Sequence, residues 1–139
     1  MKKLIWLMPL LVGAIILILF QTVFLIGYVP SESMEPTLKE NSLILGFRPY
    51  GELNTGDIVI FEHEEGVFVK RIAACPGEEI EVEGKTYYVP PDSYLLLGDN
   101  KENSYDSRYW EDPFICKEKN HCETAVTVAL ELGHTLCIE

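Results

Sequence analysis

The stretch Glu79-Ile80-Glu81-Val82-Glu83-Gly84-Lys85-Thr86-Tyr87-Tyr88-Val89 governs how the rest of the chain is read. Charged and apolar side chains alternate through Glu79–Val82, the period-two pattern of a strand with one buried face. Glu83-Gly84 is a tight-turn pair, and Lys85–Val89 continues in residues that favour strands. The segment predicts a β-hairpin.

The same grammar extends on both sides. Upstream lie the strand candidates Ser42–Gly46, Asp57–Phe61 and Gly66–Ile72, and downstream Tyr94–Leu97 and Ala125–Leu130. Turn residues separate them, as Asn54-Thr55-Gly56 does before Asp57. Short strands with Gly and Pro between them predict a mainly β domain, a small antiparallel barrel-like or folded sheet. The chain has 139 residues, enough for one domain with a tail or an anchor. Its formal net charge of −11 argues against a nucleic-acid partner, which needs a basic footprint to displace counterions from phosphate.

The N-terminus follows a different rule. No residue from Leu4 to Val29 is charged, and Gln21 and Thr22 are its only clearly polar side chains. As one helix the run would extend roughly 39 Å, more than the bilayer core requires. It exceeds the apolar stretch of a cleavable secretory signal, and Gly27-Tyr28-Val29-Pro30 is a poor cleavage context. The expectation is an uncleaved, single-pass transmembrane helix. Residues 1–29 would form the cytoplasmic stub and the span, and residues 30–139 the extracytoplasmic domain. Lys2 and Lys3 precede the run and no acidic residue comes before Glu32, which puts the N-terminus inside. Membrane lipid is therefore an expected partner.

Three segments could carry chemistry. Pro30-Ser31-Glu32-Ser33-Met34-Glu35-Pro36-Thr37-Leu38 leaves the apolar run directly, and its prolines stiffen the backbone around Ser33. A serine beside a methionine carries no signal alone; the plainer reading is a solvated loop. A serine nucleophile needs a base. None of the three histidines sits in a triad-like pattern, and His63, within Glu62-His63-Glu64-Glu65, reads as part of a solvated turn. Lys70 is the alternative base. In a strand it shares a face with Phe68 and Ile72, and desolvation there would depress its pKa from about 10.4 and leave an amine able to accept a proton. On the residues alone, an ammonium that reaches water from a strand end is the plainer reading. The third segment, Gly98-Asp99-Asn100-Lys101-Glu102-Asn103-Ser104-Tyr105-Asp106-Ser107-Arg108-Tyr109-Trp110, fails as a calcium loop: Lys101 and Ser104 occupy the third and sixth places.

Taken in order, Ser33-Met34 with Pro36-Thr37-Leu38, then Lys70-Arg71, then the Gly98–Trp110 segment resemble bacterial type I signal peptidase in its compact form. The stretch 72–97 has no room for a large extra β domain. The resemblance implies a membrane-bound serine endopeptidase with a fold shared with self-cleaving repressors, removing signal peptides from exported preproteins after small residues. It implies Ser33 as nucleophile and Lys70 as general base. It implies Ser31 as an aid to the oxyanion hole, Ser104 as holder of the Lys70 amine, an Asp106–Arg108 pair that fixes the loop, and Asp99 near Arg71. Met34, Leu38, Phe68 and Val69 would line the cleft. No cofactor or metal is called for, and a monomer is expected. A protease dedicated to one client, or a non-catalytic tethered β module, remain the alternatives.

After Trp110 the likeness decays, with Glu123-Thr124-Ala125 where the family has glycine-lysine-alanine. Cys75-Pro76-Gly77 likewise stands where Leu-Pro-Gly is usual. The four cysteines, Cys75, Cys116, Cys122 and Cys137, would face an oxidising compartment. A Cys116–Cys122 bridge is allowed. A zinc site from Cys116, Cys122, His134 and Cys137 matches no recognised spacing, and free thiols are the favoured reading.

Overall fold

The structure is a computed structural model that describes residues 8–47, 51–63, 66–116, 124–131 and 134–137. Helix α1 (Met8–Val23) leads directly into strand β1 (Phe24–Tyr28). A short 3-10 turn (Glu32–Met34) precedes β2 (Leu43–Phe47), β3 (Ile58–His63), β4 (Gly66–Ala74), β5 (Glu79–Val82), β6 (Lys85–Tyr88), β7 (Ser93–Leu97), β8 (Phe114–Cys116), β9 (Thr124–Glu131) and β10 (His134–Cys137).

One eight-stranded antiparallel sheet runs β1-β2-β9-β3-β4-β7-β8, with β10 added to β9. It curls until β1 faces the first half of β4 across a groove, although the two are not neighbours in strand order. Register shifts at Leu45/Gly46 and Ile72/Ala74 mark the local bends. The expected mainly β, antiparallel architecture is what the chain adopts.

β3 shows why its sequence reads as an unbroken apolar run. Val59 and Phe61 enter one core cluster with Ile72, Leu96 and Ile115, while Ile58 and Ile60 enter a second with Met34, Leu38 and Ile44. Both faces are covered, so alternation is lost. β5 and β6 form a separate two-stranded sheet whose Ile80, Val82 and Tyr87 pack with Ala74 and Leu95. Its turn has Glu83 at φ 54° and Gly84 at φ 78°, the left-handed pair that a two-residue hairpin requires.

Two expectations need correction. The uncharged run is not one helix: α1 stops at Val23, and Phe24–Tyr28 pairs with Leu43–Phe47 as a sheet strand. The helix has 16 residues, about 24 Å at 1.5 Å per residue. Among the described residues no helix is long and apolar enough to cross a membrane. Its apolar side chains are exposed, Leu10, Leu17 and Ile18 by 60% or more. His63 is not in a free turn either. It ends β3 with its ring 4.6 Å from that of Trp110.

Candidate active site

Ser33 comes from the 3-10 turn and Lys70 from the middle of β4, where it lies opposite Val59. Their side chains meet: Lys70 Nζ is 2.6 Å from Ser33 Oγ. Lys70 is 3% exposed and Ser33 7%. The plainer reading of a snorkelling ammonium therefore gives way to a buried amine. Burial pushes the Lys70 pKa below its ordinary value, and Arg108 adds to the effect, while Asp106 and Asp99 partly oppose it.

The turn that carries Ser33 is lashed to the Gly98–Trp110 loop. The Asn100 backbone N–H donates to the Ser33 carbonyl at 3.0 Å, and Asn100 Nδ2 donates to the Glu32 carbonyl at 3.2 Å. Thr37 Oγ1 donates to Asp99 Oδ2 at 2.5 Å. Arg71, next to Lys70, grips the same carboxylate with Nε at 2.8 Å and Nη2 at 2.7 Å, and donates to the Gly56 carbonyl. Burial raises the Asp99 pKa, but the bonds from Arg71 and Thr37 outweigh it and hold the carboxyl below its ordinary value.

Gly98 allows the closest approach. A Cβ there would lie 2.0 Å from Ser104 Oγ and 2.6 Å from the Ser33 carbonyl oxygen, a distance no side chain tolerates. Behind it stands fully buried Asp106. Asp106 accepts from the Gly98 N–H at 2.8 Å, the Ser104 hydroxyl at 2.7 Å, and Arg108 Nε and Nη2, both at 2.9 Å. Burial raises its pKa too, and these donors more than reverse that. Arg108 also pairs with Glu83 at 2.6 Å.

Each residue named from sequence now has a location. Ser31 Oγ is 3.3 Å from Ser33 Oγ. Ser104 packs against Gly98 but donates to Asp106, and among the described contacts it makes no direct bond to Lys70. Asp106 and Arg108 form a two-pronged pair. A groove of about 410 Å³ opens beside the dyad, walled by Leu25–Ser31 on one side and Val67–Lys70 on the other. Met34, Phe68 and Val69 line it. Leu38 does not; it is 0% exposed, in the core cluster behind the groove. Among the described residues β1 pairs with β2 alone, and β7 joins β4 from Arg71 onward. Both walls thus carry backbone edges without a strand partner along the groove.

Thr37, Gly98 and Asn100 were not singled out from sequence for these contacts. Asn100 acts partly through its main chain, which leaves no trace in residue type. Cys75 and Cys116 are free thiols. The bridge to Cys122, and the zinc set with Cys122, His134 and Cys137, fall on side chains outside the described residues.

Comparison with known proteins adds a second line of observation. The family described as "Signal peptidase, peptidase S26" matches residues 1–89 and 83–129. The chain is similar to "Probable signal peptidase I-2" of Synechocystis sp., 36% identical over 126 residues, 66% of this chain and 57% of that protein. It is 32% identical to "Signal peptidase I P" of Bacillus subtilis subsp. natto over 142 residues, 74% of this chain and 77% of that protein. A Staphylococcus aureus protein named "Inactive signal peptidase IA" is 26% identical over 144 residues, 78% of this chain and 83% of that protein. The chain thus spans little more than half the length of the Synechocystis relative.

Proposed function

The chain belongs to the signal peptidase family, peptidase S26, and from that premise we propose that it is a membrane-bound serine endopeptidase that removes signal peptides from exported preproteins. Membership alone does not carry this, since one relative is named inactive. The observation that carries it is the 2.6 Å approach of a buried amine to a buried hydroxyl.

Lys70, uncharged in the active form, accepts the Ser33 proton as Oγ attacks the scissile carbonyl. The Ser33 N–H, among the donors that a helical first turn leaves unmatched, and the Ser31 hydroxyl hold the developing oxyanion. Each such donor contributes about 3–4 kcal/mol in comparable sites. The protonated amine then gives its proton to the leaving nitrogen, and Lys70 activates the water that clears the acyl-enzyme. Ser104, Asp106 and Arg108 keep the amine's surroundings fixed.

The groove supports an extended peptide as substrate: its walls offer free strand edges, and Met34, Phe68 and Val69 offer shallow apolar contacts. Small residues before the cut suit such a site. The uncharged run as far as Val23, with α1 in lipid, anchors the domain outside the plasma membrane with the N-terminus in the cytoplasm. Anchoring raises the effective concentration of membrane-held substrates. The domain works as a monomer, with no cofactor and no nucleic-acid partner.

The test is cleavage of several unrelated preproteins by the detergent-purified chain, beside Ser33→Ala and Lys70→Ala. Cleavage of many after small residues, abolished in both variants, is expected. Cleavage of one alone would indicate a dedicated processing protease. No difference between wild type and variants would leave a non-catalytic module and overturn the proposal.

A further inference from the structure

The mechanism leaves one ion pair of Arg108 unused. Arg108, with its side chain 7% exposed, sits between two carboxylates on different elements. Nε and Nη2 hold Asp106; Nη1 reaches Glu83 at the tip of the β5–β6 hairpin. The hairpin is held by Ile80, Val82 and Tyr87 against Ala74 and Leu95, and its turn presents Glu83 from a left-handed conformation. Asp106 in turn holds the Gly98 N–H and the Ser104 hydroxyl, and Gly98 lies against the Ser33 carbonyl.

The geometry points to Glu83 as a positioning residue: it clamps the outer edge of the Arg108 guanidinium, and through Asp106 this keeps Gly98 and Ser104 seated against the turn that carries Ser33. A guanidinium held on one edge can pivot about that edge; held on two, it is fixed in plane and position. Glu83 touches neither Ser33 nor Lys70, so it acts on the dyad through three intervening groups. The inference rests on reading Ser33 and Lys70 as the dyad.

The test compares Glu83→Gln, Glu83→Asp and Glu81→Gln in the full chain. Glu81 is an exposed acid on the same hairpin, so its variant removes equal charge without touching Arg108. One readout is preprotein cleavage. Glu83→Gln lowers kcat about 3- to 5-fold, the scale of one partly exposed ion pair, and leaves KM unchanged. Glu83→Asp recovers part of the loss, and Glu81→Gln matches wild type. Because the Glu83 pair is open to solvent on one side, raised salt lowers kcat in wild type more than in Glu83→Gln. The second readout needs no substrate: amide hydrogen exchange at Gly98 quickens in Glu83→Gln while β3 amides keep their rates.

Unchanged kcat in an active enzyme, an equal loss in Glu81→Gln, or unaltered Gly98 exchange each overturns the inference. A wild type that cleaves nothing, yet shows the Gly98 response, keeps the brace and removes the peptidase reading.

Discussion

Asn100 holds the peptide of Ser33 from outside the turn: its backbone N–H donates to the Ser33 carbonyl at 3.0 Å while its side-chain amide takes the preceding carbonyl of Glu32. A helical turn of three residues cannot orient a hydroxyl by its own bonds, because so short a turn closes few of them. The orientation of Ser33 is therefore borrowed from the Gly98–Trp110 loop.

Asn100→Ala keeps the main-chain bond and loses the exposed one. The expected result is a fall in kcat of about 2- to 5-fold with little change in Tm, read by steady-state cleavage and a thermal melt.

The buried amine sets the pH response. In the proposed mechanism Lys70 acts as base only when neutral, so kcat/KM is expected to rise with pH through the folded-state pKa and level off below the ordinary lysine value of 10.5. A profile flat from about pH 6 to 10 would contradict this. The same shift has a stability consequence. Between the lowered pKa and 10.5 the unfolded chain binds more protons than the folded one, so stability increases with pH across that window. Lys70→Met is expected to be inactive yet more stable at pH 7, because it removes an ionisable group whose charged form the fold disfavours, measured by urea unfolding. Lys70→Arg is expected to be inactive at every pH, because a guanidinium does not give up its proton in a protein.

Gly98→Ala forces a methyl group into the space of Ser104 and the Ser33 carbonyl. Activity is expected to drop at least about 100-fold, since misplacing reacting groups by an ångström costs that much. Far-ultraviolet circular dichroism separates this from global unfolding: the β signal is expected to persist.

Asp99→Asn removes the charge from a pair that ties β4 to the loop. With Arg71 partly exposed, the loss is about 1 kcal/mol at pH 7. The Asp99 carboxyl is held below its ordinary pKa, so its contribution is present at neutral pH and fades as pH falls through the folded value. Wild type and variant should converge in urea melts as acid is added.

Much of the architecture could be read from the residues because the sheet alternates where one face is wet. Glu79–Val82 and the Glu83-Gly84 turn announce their hairpin outright. The miss at Phe24–Tyr28 has the opposite cause. That strand borders an apolar groove and follows an apolar helix, so nothing in its composition marks where one ends and the other begins. β8, three residues long, is too short for periodicity to register. At the site, Ser33 and Lys70 were legible from the order of segments in a familiar family, not from spacing. Leu38 was placed in the cleft by the resemblance, and a match of motif order cannot separate a wall from the packing behind it; the structure buries it in the core cluster.

α1 passes into β1 without an intervening loop, and β1 supplies one wall of the groove beside Ser33. The distance along the chain from the helix end to Ser33 is therefore short and set by the fold. Under the proposed activity, where a polypeptide is cut at Ser33 is governed by an offset measured from the helix end as well as by the side chains flanking the bond.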